Sequence, residues 1–203
     1  MHYTRIIIIA VVAGALSGAL TFFVLGEYRM PTKEELITEF YRVENAVHVS
    51  PHSIRKQLSE GKSDAFVLVD LRSSQEYEKS HIVTAINIPA YKDPNTSAYD
   101  EKDRIINSFE EVISKNPGKD IIVYCYSIPC MTGRKIGLML AEHDIFVKHL
   151  GIGWNEWRYY WDLWNHDGET ASKVEDYIVS GKEPGKATAK ELPSPCGDGE
   201  FGC

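Results

Sequence analysis

The chain has 203 residues and a formal net charge of −7, with 43% hydrophobic and 25% charged residues. That composition belongs to a folded chain with one well-filled domain plus extensions, and rules out a largely disordered one. All acidic residues but Glu27 lie beyond position 30. The body is therefore acidic, which argues against nucleic acid as a partner, because that binding draws on cationic contacts to phosphate.

Residues 6–25 run from Ile6 to Leu25 without a charge. At about 1.5 Å per residue they span about 30 Å, the thickness of a bilayer core. Two readings compete. A cleaved signal would end at Ala13-Gly14-Ala15. An anchor, favoured because the apolar run continues past Ala15, would span the membrane once. Arg5 and the terminal amine favour a cytoplasmic N-terminus, while Arg29 and Lys33 weaken the asymmetry. Either reading puts the body outside the cytoplasm, at the cell membrane if the segment stays. Gly14 and Gly18 form a small-residue face through which two such helices could pair as a homodimer.

Thr32 and Glu35 form a capping box that predicts a helix over 33–44. Val47 to Val49 reads as a short strand, and Ser50-Pro51 opens a helix ending near Gly61. Ala65 to Asp70 and Ile121 to Cys125 are continuous apolar runs, the pattern of buried parallel strands. Short strands are expected at 85–88 and 147–150, helices at 103–114 and 133–143, and a loop at 92–103. A last helix is expected over 154–166, with Trp154, Trp157, Trp161 and Trp164 on one stripe. That stripe packs against the sheet and the 33–44 helix, or rests at the membrane interface. Strands alternating with helices predict an α/β fold with a central, mostly parallel sheet flanked by helices, preceded by one transmembrane helix. The chain divides into an anchor or uncleaved signal (1–30), a linker helix (31–46), the α/β domain (47–166) and a C-terminal extension (167–203).

The four cysteines form two local pairs, Cys125 with Cys130 and Cys196 with Cys203. Local pairs outside the cytoplasm are compatible with disulfides, and Cys196–Cys203 is the expected bridge. Zinc wants shorter spacings and four converging ligands, so no metal is expected, nor any cofactor. Cys125 ends a buried strand and precedes a helix N-terminus, where backbone amides stabilise a thiolate. It reads as a low-pKa nucleophile, or else as a buried structural cysteine.

The neighbouring segments bear on that choice. The run from Leu68 to Pro89 carries Asp70, Arg72, Glu76, Tyr77, His81, Ile82, Ala85, Asn87, Ile88 and Pro89 in the order of the N-terminal signature of rhodanese-like domains. The run Leu150-Gly-Ile-Gly-Trp-Asn-Glu-Trp157 is similar to that family's second signature. The resemblance covers about residues 47–165 and puts Cys125 where the family carries its catalytic cysteine. Ser80, Thr84 and Ile152 replace signature glycines. It implies a sulfurtransferase in which Cys125 takes a sulfane sulfur as a persulfide and passes it to a thiol acceptor. The substrate and persulfide loop would comprise Tyr126, Ser127, Ile128, Met131, Thr132, Gly133 and Arg134. Its amides would hold the persulfide anion, and Asp70 and Arg72 would support it, while His81 orders its turn.

The loop departs from the family pattern at its fifth position, which is Cys130 where a cation is common. Cys130 could resolve the persulfide, or make the site a thiol–disulfide exchanger, with a small apolar loop residue as the plainer reading. No cation precedes Arg134, although Arg134 and Lys135 could bend in. A phosphatase loop needs five residues between Cys and Arg, and neither cysteine has that spacing to Arg134. A non-enzymatic binding or redox-sensing module of the same fold stands as the alternative to an enzyme.

Overall fold

A computed structural model describes residues 2–27, 30–165 and 173–189. It divides into two compact units, residues 1–43 and 44–203.

The first unit contains helix α1 (His2–Glu27). Its stretch His2–Phe23 is long and apolar enough to cross a membrane, and none of it is buried. Helix α2 (Lys33–Val47) follows. The Thr32–Glu35 capping box forms: Thr32 N donates to Glu35 Oε2 at 2.8 Å and Glu35 N to Thr32 Oγ1 at 3.2 Å.

After the end of α2, the second unit runs through β1 (His48–Val49) and α3 (Pro51–Ser59), whose N-cap Ser50 accepts from His52 N. Then come β2 (Phe66–Asp70), α4 (Ser74–Lys79), β3 (His81–Ile82), β4 (Ile86–Asn87), β5 (Tyr91–Asp93), β6 (Thr96–Ser97) and α5 (Lys102–Lys115). The remaining elements are β7 (Asp120–Tyr124), α6 (Thr132–Ala141), β8 (Lys148–Leu150), α7 (Trp154–Tyr159) and β9 (Ile178–Val179). Five strands form one parallel sheet in the order β1-β8-β7-β2-β4.

The two apolar runs become the central strands because both of their faces are covered. Alternate residues part to opposite sides. Phe66, Leu68, Ile122 and Tyr124 join Ile54 and Leu58 of α3 and Trp154 and Trp157 of α7. Val69, Ile121, Val123 and Cys125 join Phe109 of α5 and Ile136 and Leu140 of α6. Asp70 and Tyr124 are register partners at the last position of β2 and β7. The loop after β7 therefore leaves the sheet at its C-terminal edge, where open α/β sheets place their sites.

Two local expectations are corrected. The loop expected at 92–103 contains an antiparallel hairpin, β5 with β6. The helix expected over 154–166 stops at Tyr159 and gives way to a 3-10 turn over Trp161–Leu163. That break folds the tryptophans back into a cluster: Trp157 stacks on Trp164 at 5.3 Å, and Trp161 stacks on Tyr177 at 5.6 Å. Trp154 and Trp157 are buried, so they belong to the core and present no aromatic face to a membrane. Residues past 172 also pack back on this unit. Strand β9 pairs with β3, Tyr177 is buried, and Val83 N and Thr84 N donate to Tyr177 O and Pro184 O. That clamp holds Thr84 at φ 71°, a left-handed conformation suited to the glycine it replaces.

Candidate active site

Cys125 continues the alternation of β7 and is 2% exposed, facing α5 and α6. The loop 126–131 then curls back, with Cys130 N donating to Ser127 O at 3.0 Å. This turn sets the two cysteine Sγ atoms 3.3 Å apart, Cys125 beneath and the half-buried Cys130 above.

The pair holds its charge in a way the sequence reading did not anticipate. Cys125 was expected to be the acidic thiol, but its pKa is raised, first by the hydrogen bond it shares with Cys130 and then by burial. The pKa of Cys130 is lowered to about 4, chiefly by that same hydrogen bond and then by Thr132 and backbone amides. Two sulfurs in contact share one proton, and the negative charge settles on the sulfur nearer solvent.

The loop is pinned from α7. Trp154 N donates to Cys125 O and Asn155 N to Tyr126 O, both at 2.8 Å. Glu156 Oε2 accepts from Gly153 N at 3.0 Å and from Ile128 N at 3.3 Å. Gly153 permits the approach, since a Cβ there would stand 2.2 Å from Ser127 N. Its former glycine neighbour, Ile152, is buried in the core instead. The expected cradle of amides over 126–131 is correspondingly reduced. The amides of Ile128 and Cys130 are engaged within the protein, and Pro129 has none. The Tyr126 amide and the Thr132 hydroxyl favour the ionised form of both cysteines, and the Thr132 amide favours that of Cys130.

The other loop residues take different places. The Tyr126 hydroxyl donates to Glu76 on α4. Ile128 and Met131 are exposed and give the site an apolar rim. Gly133 packs against the His149 ring, where a Cβ would lie 2.1 Å from Nε2. His149 is kept neutral, its pKa lowered to about 4 by burial and by Arg134 and His48. Arg134 does not turn to the sulfurs: its Nη1 donates to Ile128 O at 3.2 Å and Cys130 O at 3.5 Å, along the back of the loop. Lys135 lies 5.4 Å from the centre of the Tyr99 ring.

Asp70 and Arg72 form an ion pair on the opposite face of the sheet from Cys125. Arg72 Nη2 donates to Asp70 Oδ2 at 2.6 Å and to Ser80 O at 2.8 Å, and the Tyr124 hydroxyl donates to Asp70 Oδ2 at 2.8 Å. The guanidinium stacks over Trp154 at 4.3 Å. Through Trp154 N the pair reaches the Cys125 carbonyl, not the sulfur. His81 is buried between Tyr77 O and Glu183 O. Cys196 and Cys203 lie outside the described residues. No group of three or more metal-ligating side chains occurs among the described residues.

Sequence reasoning missed Tyr91, Tyr99 and Glu156. Tyr91 OH and Tyr99 OH each lie 2.8 Å from Thr132 Oγ1. The signal for Glu156 was its place three residues after Gly153, the capping-box spacing.

The rhodanese-like domain family model matches residues 50–159, more than half of the chain, and the chain belongs to that family. Among solved structures, it is similar to the BH2092 protein of Bacillus halodurans, with 23% identity, covering 74% of this chain and 88% of that one, at a TM-score of 0.47. It is also similar to a Lactobacillus plantarum protein (17% identity, 63% and 94% covered, TM-score 0.46). A third is the rhodanese-like domain of the Anabaena Alr3790 protein, at 14% identity, with 76% and 96% covered and a TM-score of 0.42. No curated protein matches.

Proposed function

We propose that this protein is a membrane-anchored, extracytoplasmic sulfurtransferase that carries sulfane sulfur as a persulfide on Cys125 and resolves it with Cys130. The observation that carries this reading is the 3.3 Å contact between the two sulfurs at the end of β7. Residues 6–25 supply the membrane attachment, and the uncharged segment after Arg5 favours an outward-facing body.

The chemistry runs in two displacements. Cys130 thiolate takes the Cys125 proton. Cys125 sulfur attacks the outer sulfur of a donor R–S–SH, the donor S–S bond breaks, and the leaving thiolate collects the proton as RSH. Cys125 now bears the persulfide and Cys130 is a thiolate again. An external thiol accepts the sulfur, or Cys130 attacks Cys125 Sγ, forms the Cys125–Cys130 disulfide and expels HS⁻. The sulfane sulfur is then reduced and the dithiol oxidised, and an external dithiol must reduce the bridge before the next cycle. Closure requires the sulfurs to approach only to about 2.05 Å.

Mass spectrometry of the reduced chain after exposure to a persulfide donor tests this. One added sulfur on Cys125, or a Cys125–Cys130 bridge with released sulfide, supports it. An unchanged dithiol makes the fold a binding module. A bridge formed with small disulfides but not with sulfane donors supports thiol–disulfide exchange, which the half-exposed, acidic Cys130 favours.

Donor preference follows from the neutral rim. Arg134 is turned to loop carbonyls, so no cation faces the sulfurs from the loop, and the Glu156 carboxylate stands behind Ile128. A dianionic donor such as thiosulfate should react poorly relative to a less charged persulfide. Met131→Arg should raise kcat/KM for thiosulfate about tenfold, the equivalent of about 1.4 kcal/mol. A wild-type preference for thiosulfate would overturn this account of the loop.

A further inference from the structure

A groove of about 600 Å³ runs between α6 and the β8–β1 edge of the sheet, a volume in the range of small-molecule pockets. Its floor is Ile121, Val123, Val147 and His149, which belong to β7, β8 and the residue before β8. The groove stays open because α6 lines it with Gly133, Gly137 and Ala141, spaced by four on one helix face. A Cβ on Gly137 would meet only Val147 Cγ2, at 3.9 Å. Leu138 and Phe146, which also line it, are 64% and 75% exposed.

Three features that cost stability or leave charge unanswered meet in this groove. Gly137 sits inside α6, where glycine weakens a helix. His149 is 8% exposed, and neither of its ring nitrogens has a hydrogen-bond partner. Arg134, also at this end of the groove, gives Nη1 to two loop carbonyls and pairs with no carboxylate among the described residues. The lining as a whole carries Lys119, Arg134 and Lys148 against Asp120 alone, in a chain whose net charge is −7. An apolar floor with a cationic border matches an anion that has an apolar body.

We propose that this groove binds a free medium-chain carboxylate, with its head at Arg134 and His149 and its alkyl chain along Gly137 and Ala141. A guanidinium suits a carboxylate, and a neutral imidazole has one N–H to donate to it. From Gly133 to Ala141 the helix rises about 12 Å, which an alkyl chain of about eight carbons spans. A phospholipid brings two longer chains and exceeds the volume. The site does not include the two sulfurs, so it stands or falls independently of sulfur transfer.

The test is photocrosslinking of the full chain in phosphatidylcholine nanodiscs with an octanoate that carries a diazirine at its chain end. Labelled peptides are mapped by mass spectrometry. Labelling should be saturable, fall within residues 133–149, and be competed by octanoate about tenfold better than by octanol or octylamine. Gly137→Leu fills the groove and suits a helix, so it should cut labelling about tenfold while the thermal midpoint holds or rises. Arg134→Gln and His149→Leu should each weaken competition by octanoate about tenfold. If a variant does not fold, the competition series on the wild type decides the matter. Unsaturable labelling, equal competition by octylamine, or full labelling in Gly137→Leu overturns the proposal. Crosslinks that join two chains through these residues overturn it as well, and make a second copy the occupant.

Discussion

Replacing Cys125 with serine should lower sulfur transfer by at least about 10³-fold and remove the persulfide from the mass spectrum. Losses of that order or larger accompany removal of the nucleophile in covalent enzymes. Serine fits the buried position and can still donate to Cys130, so the fold and the acidic Cys130 should survive. Cys130→Ser should behave differently. Without a thiolate 3.3 Å away, the largest cause of the raised Cys125 pKa disappears. Cys125 should then ionise at lower pH than in the wild type. It should load sulfur and accumulate the persulfide, but release no sulfide without an added thiol. The measurement is intact mass and sulfide release for both variants. A persulfide in Cys125→Ser, absent in Cys130→Ser, would exchange the two roles and make the half-exposed cysteine the carrier.

The parts legible from sequence are those in which one residue pattern has one physical use. Continuous apolar runs at 65–70 and 121–125 have no stable place except between two covered faces, and they became β2 and β7. The capping box at Thr32 and the Ser50-Pro51 start are local chemistry and needed no tertiary information. The acidity of the cysteines was not legible in this way. Amides at a helix N-terminus favour a thiolate, but two sulfurs in contact share one proton, and the contact depends on how a loop containing Pro129 curls. Tyr91 and Tyr99 sit in a polar segment without strand periodicity, so nothing local aims their hydroxyls at Thr132. The tryptophan stripe has genuine helical spacing. Its indoles gain more by packing on α3, Tyr177 and one another than by extending α7, and the helix breaks at Tyr160 to allow it.

Asp70→Ala should cost about 3–5 kcal/mol of stability, the usual penalty for leaving one partner of a buried ion pair uncompensated. Asp70 is 0% exposed and Arg72 2%. Burial works against the Arg72 charge, yet Asp70, together with Tyr124 and Glu76, outweighs it and the guanidinium pKa is raised. The carboxylate also takes Arg72 N at 2.9 Å and the Tyr124 hydroxyl, so its loss leaves a buried cation and two unpaired donors. Against a typical stability of about 5–15 kcal/mol, the thermal midpoint should fall by about 6–20 °C. The site should loosen with it, because Arg72 stacks on Trp154, and Trp154 N holds the Cys125 carbonyl. The folded fraction of the variant should therefore alkylate faster at Cys125 than the wild type. Asp70→Leu/Arg72→Met, which removes both charges and keeps most of the volume, should recover much of the stability while losing the Trp154 stacking. Equilibrium unfolding of the three proteins separates these effects. A loss under about 1 kcal/mol in Asp70→Ala would mean that water reaches Arg72, and that the loop's support comes from α7 alone.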